Sequence, residues 1–182
     1  TTGKILGEVR VPGVKGQNMP AYEPRVVKGI GVTYATTPQG ADHTAGYTIA
    51  PEIAGVGGKV DNFDTKKADL SRNFQEVTAF LDASGHCLFI AFPILDIASG
   101  FEGWVQETAA VVGADWTTAD VTRIGAEILK IEREFNEKAG FTSVDDRLPE
   151  FMKYEPVPPH NAVWNVTDEE LDAVFGKAKA AV

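Results

Sequence analysis

Eleven of the eighteen glycines and five of the ten prolines fall in the first 60 residues. No other feature constrains the fold as much, because glycine weakens helices and strands and proline interrupts both. Residues 1–63 are therefore expected to run as turns, short extended pieces and one helix. VPGVKGQNMPAYEP (11–24) reads as an extended, turn-rich lead-in. Pro24 suits the first turn of a helix, and Val26, Val27, Ile30 and Tyr34 then recur at helical spacing, predicting a helix over 24–37. Gly29 and Gly31 weaken it but permit close approach of another backbone. PQGADHTAG (38–46) and EIAGVGGKVD (52–61) read as loops.

From about residue 64 the pattern becomes helical. Leu70, Phe74, Val77 and Leu81 form one apolar face over 65–83, and Gly85 stops that helix. CLFIAFPIL (87–95) reads as a short buried run, ambiguous between helix and strand and broken by Pro93. A helix follows over 100–113. The clearest spans 118–139: Thr117 and Asp120 resemble a capping box, and Val121, Ile124, Ile128, Ile131 and Phe135 repeat at 3 and 4. Residues 141–160 are irregular, with four prolines. Thr167 and Glu170 open a last amphipathic helix through Leu171, Val174, Phe175 and Ala178. No repeat and no alternating helix–strand rhythm appears. The expected fold class is mostly α: one irregular helical module over 1–182, with a glycine- and proline-rich, loop-rich part (1–63) and a helical part (64–182).

The 182 residues suit one compact domain or two small ones. The net charge of −9 is uneven, about +2 over residues 1–60 and −11 over 61–182. That balance argues against nucleic acid, whose binders carry a basic face, and permits docking to a basic partner. No apolar run approaches the roughly 20 residues that span a bilayer. TTGKILGEVR has no apolar signal-peptide segment, and the missing initiator methionine is expected of a processed or excised piece. One cysteine excludes an internal disulfide framework and a self-contained Cys₄ or Cys₂His₂ metal site. A reducing cytoplasm is the expected location.

No nucleotide-binding glycine loop, HExxH or Gly-x-Ser-x-Gly pattern is complete. His43 sits in the loop GADHTAGYT, where an imidazole with an ordinary pKa near 6.5 could transfer protons or simply face solvent. Cys87 is either a small buried apolar residue or a thiolate ligand or nucleophile. Asp82 lies near a helix C-terminus, where the dipole disfavours a carboxylate, so it is either solvated or held there by a ligand. His86 adjoins Cys87, and His160 in PVPPH is expected to be exposed.

Three stretches together resemble the tungsten-containing aldehyde ferredoxin oxidoreductase family. MPAYEPRVVKGIGVTYATTPQGADHTAGYT (19–48) is similar to its acidic P-x-x-[DE]-P-R turn, KG-x-G-x-x-YAT segment and glycine loop ending in histidine. DASGHC (82–87) resembles its D-x-x-G-L-C motif, and REFNEKAGFTSVDDRLPEFM (133–152) its FN-x-x-x-GF-x-x-x-DD-x-LP segment. The resemblance implies a helical, C-terminal part of an enzyme that oxidises aldehydes to carboxylic acids and passes electrons to ferredoxin. It implies that His43 points to the tungsten, or molybdenum, of a bis-tungstopterin centre, bonding the metal-bound oxygen or the substrate carbonyl, or relaying a proton. Asp82 and the backbone near His86 and Cys87 would bind one pterin, and Cys87 would be one of four ligands to a [4Fe–4S] cluster. Family members also carry an N-terminal β-rich domain and a C-x-x-C-x-x-x-C triplet, absent from this sequence. This chain alone is therefore expected to be inactive and to bind no cofactor, its partners being that domain or a companion chain, ferredoxin and a small aldehyde. His86 replaces the motif leucine, and Ala45 stands where some relatives have a basic residue. The competing readings are a non-catalytic acidic helical binding module and a cysteine-dependent hydrolase.

Overall fold

A computed structural model describes residues 10–176. The TTGKILGEV segment and Ala178 lie outside the described residues. The fold is mostly helical, as expected, with a single two-stranded sheet among the described residues. That hairpin, β1 (Gly13–Val14) and β2 (Gln17–Asn18), was not foreseen in the lead-in. Lys15 and Gly16 turn it, both at positive φ (50° and 79°). This matches the two-residue turn whose twist suits paired strands.

Helix α1 (Lys28–Thr36) is shorter than the predicted 24–37 and is buried along every residue. It is the central post of the fold rather than an amphipathic surface helix. Val27 provides no side-chain cap. The cap comes instead from Glu52, in a π-helical turn over Ala50–Ala54, whose carboxylate accepts the Gly29 N–H at 2.9 Å. At the other end, Lys15 Nζ donates to the Ala35 carbonyl at 2.8 Å and Arg133 to the Thr36 carbonyl at 3.1 Å. Asp146 pairs with both cations. An anion at the N-terminus and cations at the C-terminus oppose the helix dipole favourably. The glycines admit side chains here rather than another backbone: a Cβ at Gly29 would lie 2.5 Å from the Glu52 carboxylate, and one at Gly31 2.3 Å from the Trp164 ring.

Glu52 and Lys67 are both wholly buried, 3.6 Å apart, and Lys67 Nζ also donates to the Asp61 carbonyl. Burial raises the Glu52 pKa despite the Gly29 bond and Lys67. Lys28 Nζ, also buried, donates to the Val163 carbonyl, and burial pushes its pKa down to about 8.

Helix α2 (Ala68–Ala83) crosses α1 with an unexpected face. Its most deeply buried stripe includes Ser71, Gln75 and Thr78. Ser71 Oγ meets Thr33 Oγ1 at 2.8 Å, and Gln75 donates to Thr36 Oγ1 and Ser71 Oγ, each at 3.0 Å. Of the predicted apolar face only Leu81 is fully buried; Phe74 and Val77 instead line a cavity. Gly85 (φ 78°) follows the helix as expected.

The run 87–95 is neither buried nor broken by its proline. A 3₁₀ turn over Leu88–Ile90 leads into helix α3 (Ala91–Asp96), where Pro93 occupies the first turn, a place whose N–H needs no helical partner. Within these two elements only Ile94 is buried, and Phe89 is 79% exposed. Helix α4 (Ala98–Val112) and helix α5 (Asp120–Lys138) follow. The Asp120 carboxylate accepts the Thr117 N–H and hydroxyl at 2.9 and 3.1 Å. Helix α5 lies on α2 at Gly125, where a Cβ would fall 1.8 Å from the Glu76 carbonyl oxygen. Its predicted stripe is buried at Val121 but 67% and 72% exposed at Ile131 and Phe135.

Helix α6 (Asp168–Asp172) begins at Thr167, whose hydroxyl accepts the Glu170 N–H at 3.2 Å. The Glu170 carboxylate reaches across to cap α2, accepting the Ala68 N–H at 3.0 Å. Two apolar clusters result. One surrounds α1 with Leu148, Phe151, Met152, Trp164 and Leu171; the other joins Phe80 and Leu81 to Ile94, Trp104 and Val121. No described helix is long and apolar enough to cross a membrane.

Candidate functional site

The loop bearing His43 is held by its neighbour. Asp42 Oδ2 accepts the Ala45 N–H at 2.9 Å, the Thr44 hydroxyl at 2.5 Å and the Gln39 amide at 2.7 Å. These bonds fasten a 3₁₀ turn over Thr44–Gly46 and place His43 at its start. The His43 side chain is 32% exposed, and its Nδ1 lies 3.6 Å from Asp42 Oδ1, too far for a hydrogen bond. That nitrogen is buried and has no partner. A buried, unsatisfied ring nitrogen costs stability in a purely structural role and suits a site completed by something else.

Two phenols flank the imidazole. Ring centroids of Tyr22 and Tyr47 lie 5.4 and 5.8 Å from that of His43, and the two hydroxyls approach to 2.5 Å. The Tyr34 hydroxyl, on α1, donates to the Tyr22 carbonyl at 3.4 Å, so the central helix positions one phenol directly. The Tyr47 pKa is pushed up to about 12, first by burial and then by the bond to Tyr22. Sequence reasoning quoted both tyrosines within the recognised stretch but singled out neither. The available signal was Tyr47, four residues after His43; Tyr22, 21 residues before it, is brought there only by the fold.

Asp82, at the end of α2, opens onto a cleft of about 630 Å³. Gln39 and Ala45 of the histidine loop line the same cleft, as does Glu132 of α5. Asp82 and Glu132 are both exposed; partial desolvation by the cleft wall, then the charge of Asp42, raises the Asp82 pKa, and partial desolvation, then Asp82, raises that of Glu132. A carboxylate in this setting is stabilised by a ligand that donates N–H groups. Asp82 and the His43 loop are thus brought to one cleft.

His86 is turned towards α4. Its Nδ1 lies 2.9 Å from Ser84 Oγ, which itself donates to the Leu81 carbonyl at 2.7 Å, and its Nε2 lies 3.9 Å from Glu107. A polar anchor therefore replaces the apolar contact expected of a leucine. Cys87 is exposed rather than buried, immediately before the turn at Leu88. Among the described residues no group of three or more His, Cys, Asp or Glu converges as a metal cage. An exposed thiol at a turn can join a cluster whose other ligands come from outside these residues. His160 is exposed and stacks on Phe63.

Comparison with known proteins gives the family of the chain. The family model described as "Aldehyde ferredoxin oxidoreductase, domains 2 & 3" matches residues 2–177. The chain is 40% identical over 149 residues to the tungsten-containing aldehyde ferredoxin oxidoreductase of Pyrococcus abyssi, and 39% identical to those of Pyrococcus horikoshii and Pyrococcus furiosus. These matches cover 80% of this chain and 24% of each relative, so the chain spans about a quarter of their length. A match over nearly every residue means that the chain belongs to the aldehyde ferredoxin oxidoreductase family.

Proposed function

We propose that the chain is the C-terminal portion of a tungstopterin- and iron–sulfur-containing enzyme that oxidises aldehydes. Aldehyde and water give carboxylic acid, two protons and two electrons, and the electrons leave for ferredoxin. When bound, the pterin-held metal supplies the two-electron oxidation and the [4Fe–4S] cluster the onward one-electron steps. The observation that carries this reading is the buried, unpaired Nδ1 of His43 between two phenols, beside a cleft that Asp82 lines.

Within this reading, Asp82 holds the pterin by accepting its N–H groups, and Cys87 contributes one thiolate to the cluster. His43 hydrogen-bonds the aldehyde oxygen and takes up a released proton. Tyr47 keeps its proton at neutral pH, because its pKa stands near 12, and so remains a donor within the Tyr22–Tyr47 pair. The remaining cluster ligands and the rest of the pterin cradle belong to an N-terminal domain or companion chain, and the 182 residues alone are inactive. The reducing location that a [4Fe–4S] cluster and a free thiol require is the cytoplasm.

The test is iron and tungsten content with electron paramagnetic resonance on the complete, anaerobically purified enzyme. Cys87→Ser is expected to lose the cluster signal, and His43→Ala to retain both metals while losing aldehyde oxidation. A full cluster in Cys87→Ser refutes the ligand assignment. Wild-type activity in His43→Ala refutes the role of the imidazole.

A further inference from the structure

The segment that follows Cys87 has two sides. Leu88, Phe92 and Leu95 turn inward to the cavity beside α2. Phe89, Pro93 and Ile97, at four-residue spacing, are all exposed, Phe89 by 79% and Ile97 by 53%. The surface widens onto α4. A Cβ at Gly100 would lie 3.7 Å from the Ile97 Cβ, and one at Gly103 would meet open space, so neither position raises a side chain beside the stripe. Further along α4, Glu107 stands 3.9 Å from His86 with its side chain 70% exposed. Cys87 is itself exposed and lies two residues before Phe89, no more than about 7 Å along the chain. The charge around this stripe has one sign: residues 73–122 contain seven Asp or Glu and no Lys or Arg. An exposed apolar stripe thus adjoins the cluster thiolate inside an acidic stretch of chain, an arrangement that marks a contact surface for a cationic partner.

We propose that this face is the electron exit and seats a one-electron carrier protein whose redox centre is ringed by Lys or Arg. The inference rests on the oxidoreductase reading above and adds to it the charge of the carrier. At each encounter the reduced cluster gives one electron to the carrier and returns to its oxidised state, so two encounters discharge the two electrons of one aldehyde. Phe89, Pro93 and Ile97 supply the short-range contact, and the carboxylates steer the approach. A patch of this kind suits a transient complex, since redox partners bury the least surface of the interface classes. A carrier with an acidic rim is repelled.

The experiment uses the complete, metal-loaded enzyme at saturating acetaldehyde with three acceptors: cytochrome c, whose haem edge is ringed by lysines, succinylated cytochrome c, in which those charges are reversed, and benzyl viologen, which needs no docking. At low salt kcat/KM is expected to favour native over succinylated cytochrome c by about 100-fold, and to fall as ionic strength rises. Phe89→Ala is expected to weaken both cytochrome c reduction and its binding, read by calorimetry, about tenfold while leaving iron content and viologen reduction unchanged. Ile97→Ser is expected to act in the same direction, and Glu107→Gln to lower the association rate about threefold. Equal use of the two cytochromes, or unchanged cytochrome c binding in Phe89→Ala and Ile97→Ser, overturns the inference. So does loss of iron or of viologen reduction in Phe89→Ala, which assigns the stripe to a joint inside the complete enzyme. A metal-loaded wild type that reduces no viologen with any aldehyde overturns the oxidoreductase reading itself, while calorimetric binding of cytochrome c still reads the surface separately.

Discussion

Replacing Glu52 by methionine removes two things at once. It leaves the buried Lys67 ammonium without its carboxylate 3.6 Å away, and it leaves the Gly29 N–H without an acceptor at the start of α1. Stranding one member of a buried ion pair costs about 3–5 kcal/mol, and an unsatisfied buried donor about 1–3 kcal/mol of such a total. Glu52→Met is therefore expected to lose about 3–5 kcal/mol of unfolding free energy, read from the urea midpoint at an unchanged slope. Adding Lys67→Met removes the stranded charge but not the orphaned N–H. The double variant is therefore expected to recover most of the loss and retain a deficit of about 1–3 kcal/mol. The ion pair itself adds little, since burial raises the Glu52 pKa even with Lys67 beside it. A loss below about 1 kcal/mol in Glu52→Met, or no recovery in the double variant, would refute both the pairing and the capping role.

The same residue sets a pH dependence. Its folded pKa is raised above the ordinary 4.5, so the folded state binds the proton more readily than the unfolded chain. Wild-type stability relative to Glu52→Gln is expected to rise as pH falls through the folded pKa, with the gain complete below about 4.5; a relative fall would refute the assignment. Gly125→Ala places a methyl group against the Glu76 carbonyl and is expected to cost about 3 kcal/mol by thermal unfolding. Tyr47→Phe is expected to remove a tyrosinate absorbance step near pH 12, and a step that persists there would refute the assignment. A thiol reagent is expected to modify Cys87 quickly in the cluster-free chain and slowly in the cluster-loaded enzyme, measured by reagent release.

Much of the helical part was legible because 3- and 4-residue spacing needs only local chemistry. Thr167, Gly85 and the α5 periodicity all announce structure formed by neighbours in sequence. The periodicity misled about burial, because it identifies an apolar face without naming what covers it. Phe74 and Val77 face a cavity, and Ile131 and Phe135 face outward. Ser71, Gln75 and Thr78 were invisible as a core stripe, since their burial depends on hydroxyls supplied by α1. His43, Asp82, His86 and Cys87 came from local patterns in two short motifs. The surroundings of each depend on the folded chain: Tyr22 and Tyr47 close around His43, and Ser84 and Glu107 turn His86 towards α4. Cys87 followed a buried-looking apolar run and proved exposed because the run turns outward at Leu88.

The capping of α1 by remote residues bears on the order of folding. A nine-residue helix is too short to persist alone in water. Its N-terminal acceptor lies 23 residues away and one of its C-terminal donors 97 residues away. Neither end is satisfied until those long loops have closed, and their closure entropy is spent before the helix returns any stability. The histidine loop follows the C-terminal end of α1, whose Thr36 carbonyl is satisfied by Arg133 of α5. A nascent or truncated chain stopping short of α5 leaves the Thr36 carbonyl without its Arg133 donor, while Asp42 still fastens the 42–46 turn locally.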